Sequence, residues 1–262
     1  MTAAAAILSI LSGSVVGLSL GLIGGGGSIL AVPLMAYVVG LAPHEAIGTS
    51  AVAVGASALA NLAGHARAGT VKWPCAVVFA LAGIAGAAVG AQIGKRVDGQ
   101  ALLAAFGVLM IIVAALMLKP RAAGHDARVR LTRASAPRLL PQLALTGLAV
   151  GALSGFFGIG GGFLIVPGLI SATAMPLLNA IGSSLVSVSA FGATTAVSYA
   201  ASGLIAWRIA GLFILGGLAG GYAGIRAARA LAGRKRLLAH VFSAVVATVG
   251  LYVTARGLAR FL

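Results

Sequence analysis

Two glycine clusters are the first residues of this chain whose pattern could bind a ligand. The clusters are Gly24, Gly25, Gly26, Gly27 and Ser28, and, around Ile159, Gly158, Gly160, Gly161 and Gly162. Each lies between a long apolar run and a short one. Adjacent glycines disfavour a helix interior, so each cluster predicts a helix break. A helix starting after the break presents free N–H groups and a positive dipole end, which attract anions.

Hydroxyl groups recur near the start of two long apolar runs, in Gly48-Thr49-Ser50 and Gly182-Ser183-Ser184. Such hydroxyls donate to an oxyanion without adding charge. They also bond back to their own helix or join neighbouring helices, which is the structural alternative. Further along the same two runs, Asn61 and Thr195 are polar residues at equivalent positions. We interpret all of these as candidate substrate-binding residues.

The equivalence of these positions comes from an internal repeat. A shift of 134 residues aligns residues 13–90 with 147–224 without a gap, and 27 of 78 positions are identical. Pro33 then matches Pro167, and Trp73 matches Trp207. Repeats with a short, glycine-interrupted segment in each half are typical of transporters. The repetition favours a substrate site at the glycine clusters over the simpler explanations, a surface turn or a close helix contact.

The elements that must position these residues are membrane-spanning helices. The 262 residues are 60% hydrophobic and 8% charged, with a mean hydropathy of +1.11. Apolar runs of about 20 residues span a bilayer as helices. The sequence therefore predicts an all-α, polytopic membrane bundle. Its first transmembrane repeat is residues 1–118, the linker is 119–141 and the second repeat is 142–262. The runs 28–41 and 162–174 are too short for ordinary spans and indicate short broken helices.

Basic residues predict the orientation of the chain in the membrane. The linker holds six of the eighteen Lys and Arg residues, so it is expected in the cytoplasm. With five crossings per half, 13 basic residues lie inside and five outside; with four, the counts are 11 and seven. The first distribution fits the positive-inside rule better. It predicts an inverted repeat, because five is odd, with both termini outside.

The composition also argues against other classes of function. The net charge of +15 could suggest nucleic-acid binding, but the basic residues sit in short segments between apolar runs and act as topology anchors. A membrane-embedded enzyme needs a catalytic constellation, which four histidines, one cysteine and three acids do not form. We expect no cofactor and no metal. The acids Glu45, Asp98 and Asp126 lie outside the middle of the spans, which disfavours carboxylate-based cation sites.

The repeated motifs resemble those of the sulfite exporter TauE/SafE family. A Gly-Gly-Gly-Ser-Ile-Leu-Ala-Val-Pro segment ends at Pro33, and Gly-Gly-Gly-Phe-Leu-Ile-Val-Pro ends at Pro167. Each is followed by Ala-Ile-Gly-Thr/Ser-Ser. The resemblance covers essentially the whole chain. It implies inner-membrane transport of sulfite, organosulfonates or related small acids, and it maps binding onto the glycine clusters and onto Thr49, Ser50, Ser183 and Ser184.

The resulting expectation is an exporter that binds a small anion between the glycine-rich breaks of its two halves. A carrier of another small solute, such as an amino acid or a cation, and an anion channel are the alternatives. The expected partners are the anionic substrate and the lipid bilayer, with no nucleic acid. The sequence leaves the oligomeric state open, a homo-oligomer included. The expected location is a cell membrane, the inner membrane in a bacterium.

Overall fold

The computed structural model describes residues 3–23, 25–118, 135–158, 162–230 and 235–258. Helix α1 is Ala3–Ile23. Helix α2 is short and irregular, with a 3-10 segment Gly25–Leu30, an α-helical segment Ala31–Pro33 and a π-helical segment Leu34–Val38. The others are α3 Pro43–Arg67, α4 Trp73–Gly94, α5 Gly99–Leu118, α6 Ala136–Phe157, α7 Gly162–Thr173, α8 Leu177–Ala200, α9 Trp207–Ala230 and α10 Lys235–Leu258.

Six helices of the described part are long and apolar enough to cross a membrane. They are Ala3–Gly21, Pro43–Arg67, Trp73–Gly94, Gly99–Leu116, Ala136–Phe157 and Leu177–Ala200. Local signals set several of their ends. Pro43 and Pro74 stand in the first turns of α3 and α4, where a missing N–H costs nothing. Asp98 caps α5, because its Oδ1 accepts the N–H groups of Gln100 and Ala101 at 2.9 and 3.0 Å. The protein is thus a polytopic helical membrane protein.

Glycines let two pairs of helices pack in parallel at very short range. In the α1–α9 pair, a Cβ on Gly13 would meet the backbone of Phe213, and one on Gly17 would meet Gly217. The contacts advance together along both chains, so the two helices run in the same direction. The α4–α6 pair repeats the pattern, with Gly83 against Gly151 and Ala87 against Gly155 in the same sense. Lipid supplies no hydrophobic drive between helices, so close backbone packing stabilises such pairs.

Helices α3 and α8 cross in opposite directions at the centre of the bundle. Gly48 near the start of α3 lies against Tyr199 near the end of α8, and Gly55 lies against Gly192. We call the end of the bundle with Gly48 and Tyr199 the lower end. Helix α3 runs parallel to α9, because Thr49 contacts Ala206 and Ser57 lies near Gly217. Helix α3 starts at the lower end and runs upward, so α9 runs upward as well. Helix α1 is parallel to α9 and therefore also runs upward.

The other homologous pair, α5 and α10, is antiparallel as well. Gly257 lies against Ala104, Gly250 lies against Met110, and the Ser243 hydroxyl donates to Ala114 O at 2.7 Å. Both antiparallel pairs, α3–α8 and α5–α10, join elements that correspond under the 134-residue shift. The two halves therefore have opposite orientations. The inverted repeat predicted from the charge distribution is confirmed by these directions.

The helix directions also determine the path of the two short helices. Since α1 and α3 both run upward, α2 returns the chain from the upper end of α1 to the lower start of α3. Helices α6 and α8 both run downward, so α7 returns the chain upward between them. With 12 residues, α7 is only about 18 Å long. Each half therefore passes along the bundle five times, and its second pass is short.

The boundaries of the predicted linker and repeats stay predictions. Residues 119–134 of the linker lie outside the described residues, and α6 already begins at Ala136. The halves are interlocked, because α1 packs most extensively on α9 and α4 on α6. Each half thus supplies a helix to a pair with the other half, and the bundle has one continuous buried core.

Candidate functional site

The two short helices meet in the interior of the bundle. Helix α7 packs against the Gly25–Leu30 segment of α2 as well as against α6 and α8. Ser28 and Gly162, at the starts of these helices, are buried. Gly24, Gly160 and Gly161 lie outside the described residues, and so does Ile159. Of the described parts of the clusters, Gly25–Ser28 therefore lie at the start of α2. Gly158 lies at the end of α6, and Gly162 lies at the start of α7.

Gly158 ends α6 in a left-handed conformation, with φ +67°. A side chain there would be strained, and its Cβ would collide with Ile47. The Gly158 carbonyl accepts the Ser50 hydroxyl at 3.1 Å, and the same hydroxyl reaches Ile47 O at 2.9 Å. The structure thus brings together Ser50 and Gly158, two predicted site residues from different halves. Their contact fixes the helix break after α6 against α3.

Thr49 and Ser183 make reciprocal contacts between the halves. Thr49 Oγ1 accepts the Ala206 N–H at 3.0 Å, and Ser183 Oγ accepts the Lys72 N–H at 2.9 Å. Ala206 and Lys72 correspond under the repeat and directly precede α9 and α4. Each hydroxyl oxygen therefore accepts an N–H at the start of a helix in the other half. One contact lies at the lower end and the other at the upper end.

The remaining predicted hydroxyl and amide residues differ in their bonding. Ser184 is buried and donates to Ile181 O at 2.8 Å within its own helix. Asn61 is half-buried, and its amide donates to Ser57 O at 2.9 Å. Thr195, the repeat equivalent of Asn61, is fully buried, and its hydroxyl has no hydrogen-bond partner among the described residues. Of this group, Thr195 alone keeps its full hydrogen-bonding capacity in the interior.

Sequence reasoning missed three residues of the same kind. The hydroxyls of Ser154, Ser187 and Tyr199 are buried and bond to no group of the described chain. Ser154 lies on α6, and the other two share α8 with Thr195. The sequence contains one signal for them. Ser154 and Ser187 are polar, whereas their repeat equivalents Leu20 and Ala53 are apolar; the equivalent of Tyr199 is His65. Comparing the halves for differences, rather than for matches, identifies them.

Lys95 is a cation at the lower end of the bundle. Its Nζ donates to Ser198 O and to Ser202 Oγ, both at 3.1 Å, and lies 5.9 Å from the centre of the Tyr199 ring. Within the described chain no carboxylate pairs with this cation. The described residues also contain no group of three His, Cys, Asp or Glu side chains able to hold a metal ion. The interior that the structure describes therefore offers neutral hydroxyl donors with a cation at one end.

An inverted pair of interlocked five-helix units, each with a short second helix, is the architecture of many membrane transporters. The comparisons with known proteins agree with this class. The profile of the sulfite exporter TauE/SafE family matches residues 9–253, and the chain belongs to that family.

Two relatives are similar to the chain over most of its length. A probable membrane transporter protein of Xylella fastidiosa (strain 9a5c) is 52% identical over 254 residues, covering 97% of this chain and 96% of the relative. The probable membrane transporter protein YunE of Bacillus subtilis (strain 168) is 28% identical over 236 residues, covering 83% and 86%. No solved structure matches the chain.

Proposed function

We propose that this transporter carries small anions, with sulfite or organosulfonates as the cargo and export as the direction. The observation that carries the proposal is the meeting of the two short helices inside an inverted repeat. Two helix starts with glycine-rich approaches supply N–H groups and positive dipole ends for an anion. The family supplies the sulfur-containing class of cargo.

The proposed mechanism is alternating access, with the anion bound between the glycine-rich breaks of the two halves. The proposed substrate path comprises the two clusters and the hydroxyls of Thr49, Ser50, Ser183, Ser184 and Thr195, with Asn61. Thr49 lies at its lower end and Ser183 at its upper end. Inverted halves favour this mechanism, because exchanging their conformations exchanges the open end. We assign the linker and the upper end to the cytoplasm, because the distribution of basic residues favours that orientation.

Export of an anion needs no coupling ion in this scheme. With the cell interior negative, each charge leaving the cell gains about 2.3 kcal/mol per 100 mV. The three acids of the chain are Glu45 and Asp98, near helix starts at the lower end, and Asp126 in the linker. This placement offers no carboxylate for proton coupling along the path. The transporter therefore works as a uniporter driven by the membrane potential.

The decisive experiment measures sulfite and sulfoacetate flux in proteoliposomes under an imposed potassium diffusion potential. We expect flux that saturates with substrate, follows the sign of the potential and persists when the pH gradient is collapsed at clamped potential. Alanine and sodium flux are measured in parallel. Flux of either one without sulfite flux would identify the alternative carrier, and non-saturating sulfite flux would identify a channel.

A further inference from the structure

Three buried hydroxyls of the second half form a strip that no described protein group uses. Ser154, Thr195 and Tyr199 have fully inaccessible side chains, and their oxygens have no hydrogen-bond partner in the described chain. Buried polar groups are nearly always paired in native proteins, and an unpaired one is costly. Three of them on adjacent helices indicate a ligand that the chain binds transiently.

Contacts with α4 place these hydroxyls at neighbouring heights. The Phe191 ring lies where a Cβ on Gly83 would stand, and Gly83 also lies against Gly151. Ser154 follows Gly151 by three residues, and Thr195 follows Phe191 by four. Since α6 and α8 both run parallel to α4, both hydroxyls lie one turn below this contact. They therefore face the interior at about the same level.

The strip continues toward the lower end of the bundle. Tyr199 follows Thr195 by one helical turn, and Lys95 Nζ stands over its ring. The Lys95 ammonium is held by Ser198 O and Ser202 Oγ rather than by a carboxylate. A positive charge thus lies at the mouth of a row of neutral donors. A positive charge attracts anions, and neutral hydroxyls donate to an oxyanion without adding charge.

We propose that Ser154, Thr195 and Tyr199 form an anion subsite beside the glycine-rich break after α6, with Lys95 at its mouth. The identity of the anion rests on the function proposed above, whereas the path does not. As the anion moves toward the lower end, its oxygen atoms accept hydrogen bonds from the three hydroxyls one after another.

The three hydroxyls of the subsite all belong to the second half, whereas Lys95 belongs to the first. The repeat equivalents of Ser154, Thr195 and Tyr199 are Leu20, Asn61 and His65, whereas Lys95 corresponds to the cation Arg229. The repeat therefore keeps a basic residue at both equivalent positions of the sequence but has the three hydroxyls in the second half alone. An asymmetric strip gives the two ends different affinities for the same anion.

A pair of neighbouring threonines tests the subsite with a matched control. Thr194 Oγ1 donates to Ala190 O at 2.8 Å within α8, so its hydroxyl is already bonded. Thr195→Val and Thr194→Val each replace a hydroxyl with a methyl group, at adjacent positions. In the sulfite flux assay we expect Thr195→Val to raise KM about tenfold, because the variant loses one hydrogen bond to a charged ligand. Thr194→Val should keep the wild-type KM, and equal values for the two variants would contradict the proposal.

A second measurement is independent of the cargo. Cys75 is the one cysteine of the chain and is buried, so Cys75→Ser gives a background for single-cysteine labelling. In purified protein, Thr195→Cys should react faster with the anionic sulfonatoethyl methanethiosulfonate than with its cationic trimethylammonium analogue. This preference should disappear in Lys95→Gln and persist in Arg96→Gln, which removes an exposed neighbouring charge.

The two measurements separate the possible failures. If Thr195→Cys does not react while Ser202→Cys in the exposed lower loop does, the path is refuted even if sulfite is transported. If wild-type protein carries no sulfite but Thr195→Cys reacts with the anionic preference, the subsite stands and the cargo assignment fails. Reaction without any charge preference would remove Lys95 from the proposal.

Discussion

The reciprocal contacts of Thr49 and Ser183 yield a quantitative prediction about stability. Each side-chain oxygen accepts a backbone N–H that directly precedes a helix of the other half, at 3.0 Å for Ala206 and 2.9 Å for Lys72. Both hydroxyl residues are fully buried. Thr49→Val and Ser183→Ala remove the acceptors with little change in side-chain volume. Each variant leaves one N–H at the start of a long helix without this partner.

The expected loss follows from the nature of the bond. A hydrogen bond within a protein contributes about 1 kcal/mol, and bonds between membrane helices average about 0.6 kcal/mol. An acceptor at the start of a helix is typically worth about 1 kcal/mol. We therefore expect each substitution to lower the free energy of unfolding by about 1 kcal/mol. The two contacts lie at opposite ends of the bundle, so the double variant should lose about 2 kcal/mol.

The assay is reversible unfolding by SDS in mixed micelles, followed by circular dichroism. Thr194→Val is the control, because its hydroxyl bonds only to a carbonyl of its own helix; we expect it to stay within about 0.5 kcal/mol of the wild type. Losses for Thr49→Val and Ser183→Ala equal to the control would refute the structural role. Unchanged stability with lost flux would instead show that these hydroxyls act on the substrate.

Two further predictions concern packing and orientation. Gly151→Leu should prevent assembly of the bundle, because the backbone of Gly83 occupies the space of the new side chain. Gly64→Ala should raise the free energy of unfolding by up to about 1 kcal/mol, because open space surrounds that helical glycine. The yield of folded protein and its unfolding are measured for both variants. In a Cys75→Ser background, Ala68→Cys and Ser202→Cys occupy equivalent exposed loop positions. A membrane-impermeant maleimide added to intact cells should label Ser202→Cys alone, and labelling of both from one side would contradict the inverted repeat.

Much of the fold could be predicted from sequence because the bilayer restricts the choices. Long uncharged runs must be helices, and a repeated glycine cluster must interrupt them. The inversion was also accessible, since the distribution of basic residues favours an odd number of crossings. The interlocking of the two halves could not be predicted from the sequence. Helix α1 pairs with α9 through backbone contacts at Gly13 and Gly17, and no local pattern distinguishes these glycines from the many others.

The candidate site was less predictable, because residue type does not reveal bonding. Thr49 and Ser183 were identified as hydroxyls near helix starts, yet their oxygens accept N–H groups from the opposite half. Thr195 was selected by its equivalence to Asn61, although Asn61 bonds to Ser57 O in its own helix and Thr195 does not bond at all in the described chain. The bonds of Thr49 and Ser183 join segments more than 100 residues apart, which local sequence patterns do not reveal.

Symmetry and function impose different requirements on the two halves. Packing needs equivalent small residues, because the contacts of α1 with α9 and of α4 with α6 are the same contact formed twice. Transport in one direction needs no such equivalence, and a substrate path with identical ends would bind its anion equally at both. The halves should therefore diverge first at buried polar positions that do not hold helices together. Thr195 and Ser154 meet that condition, whereas Thr49 and Ser183 keep both their hydroxyls and their reciprocal bonds.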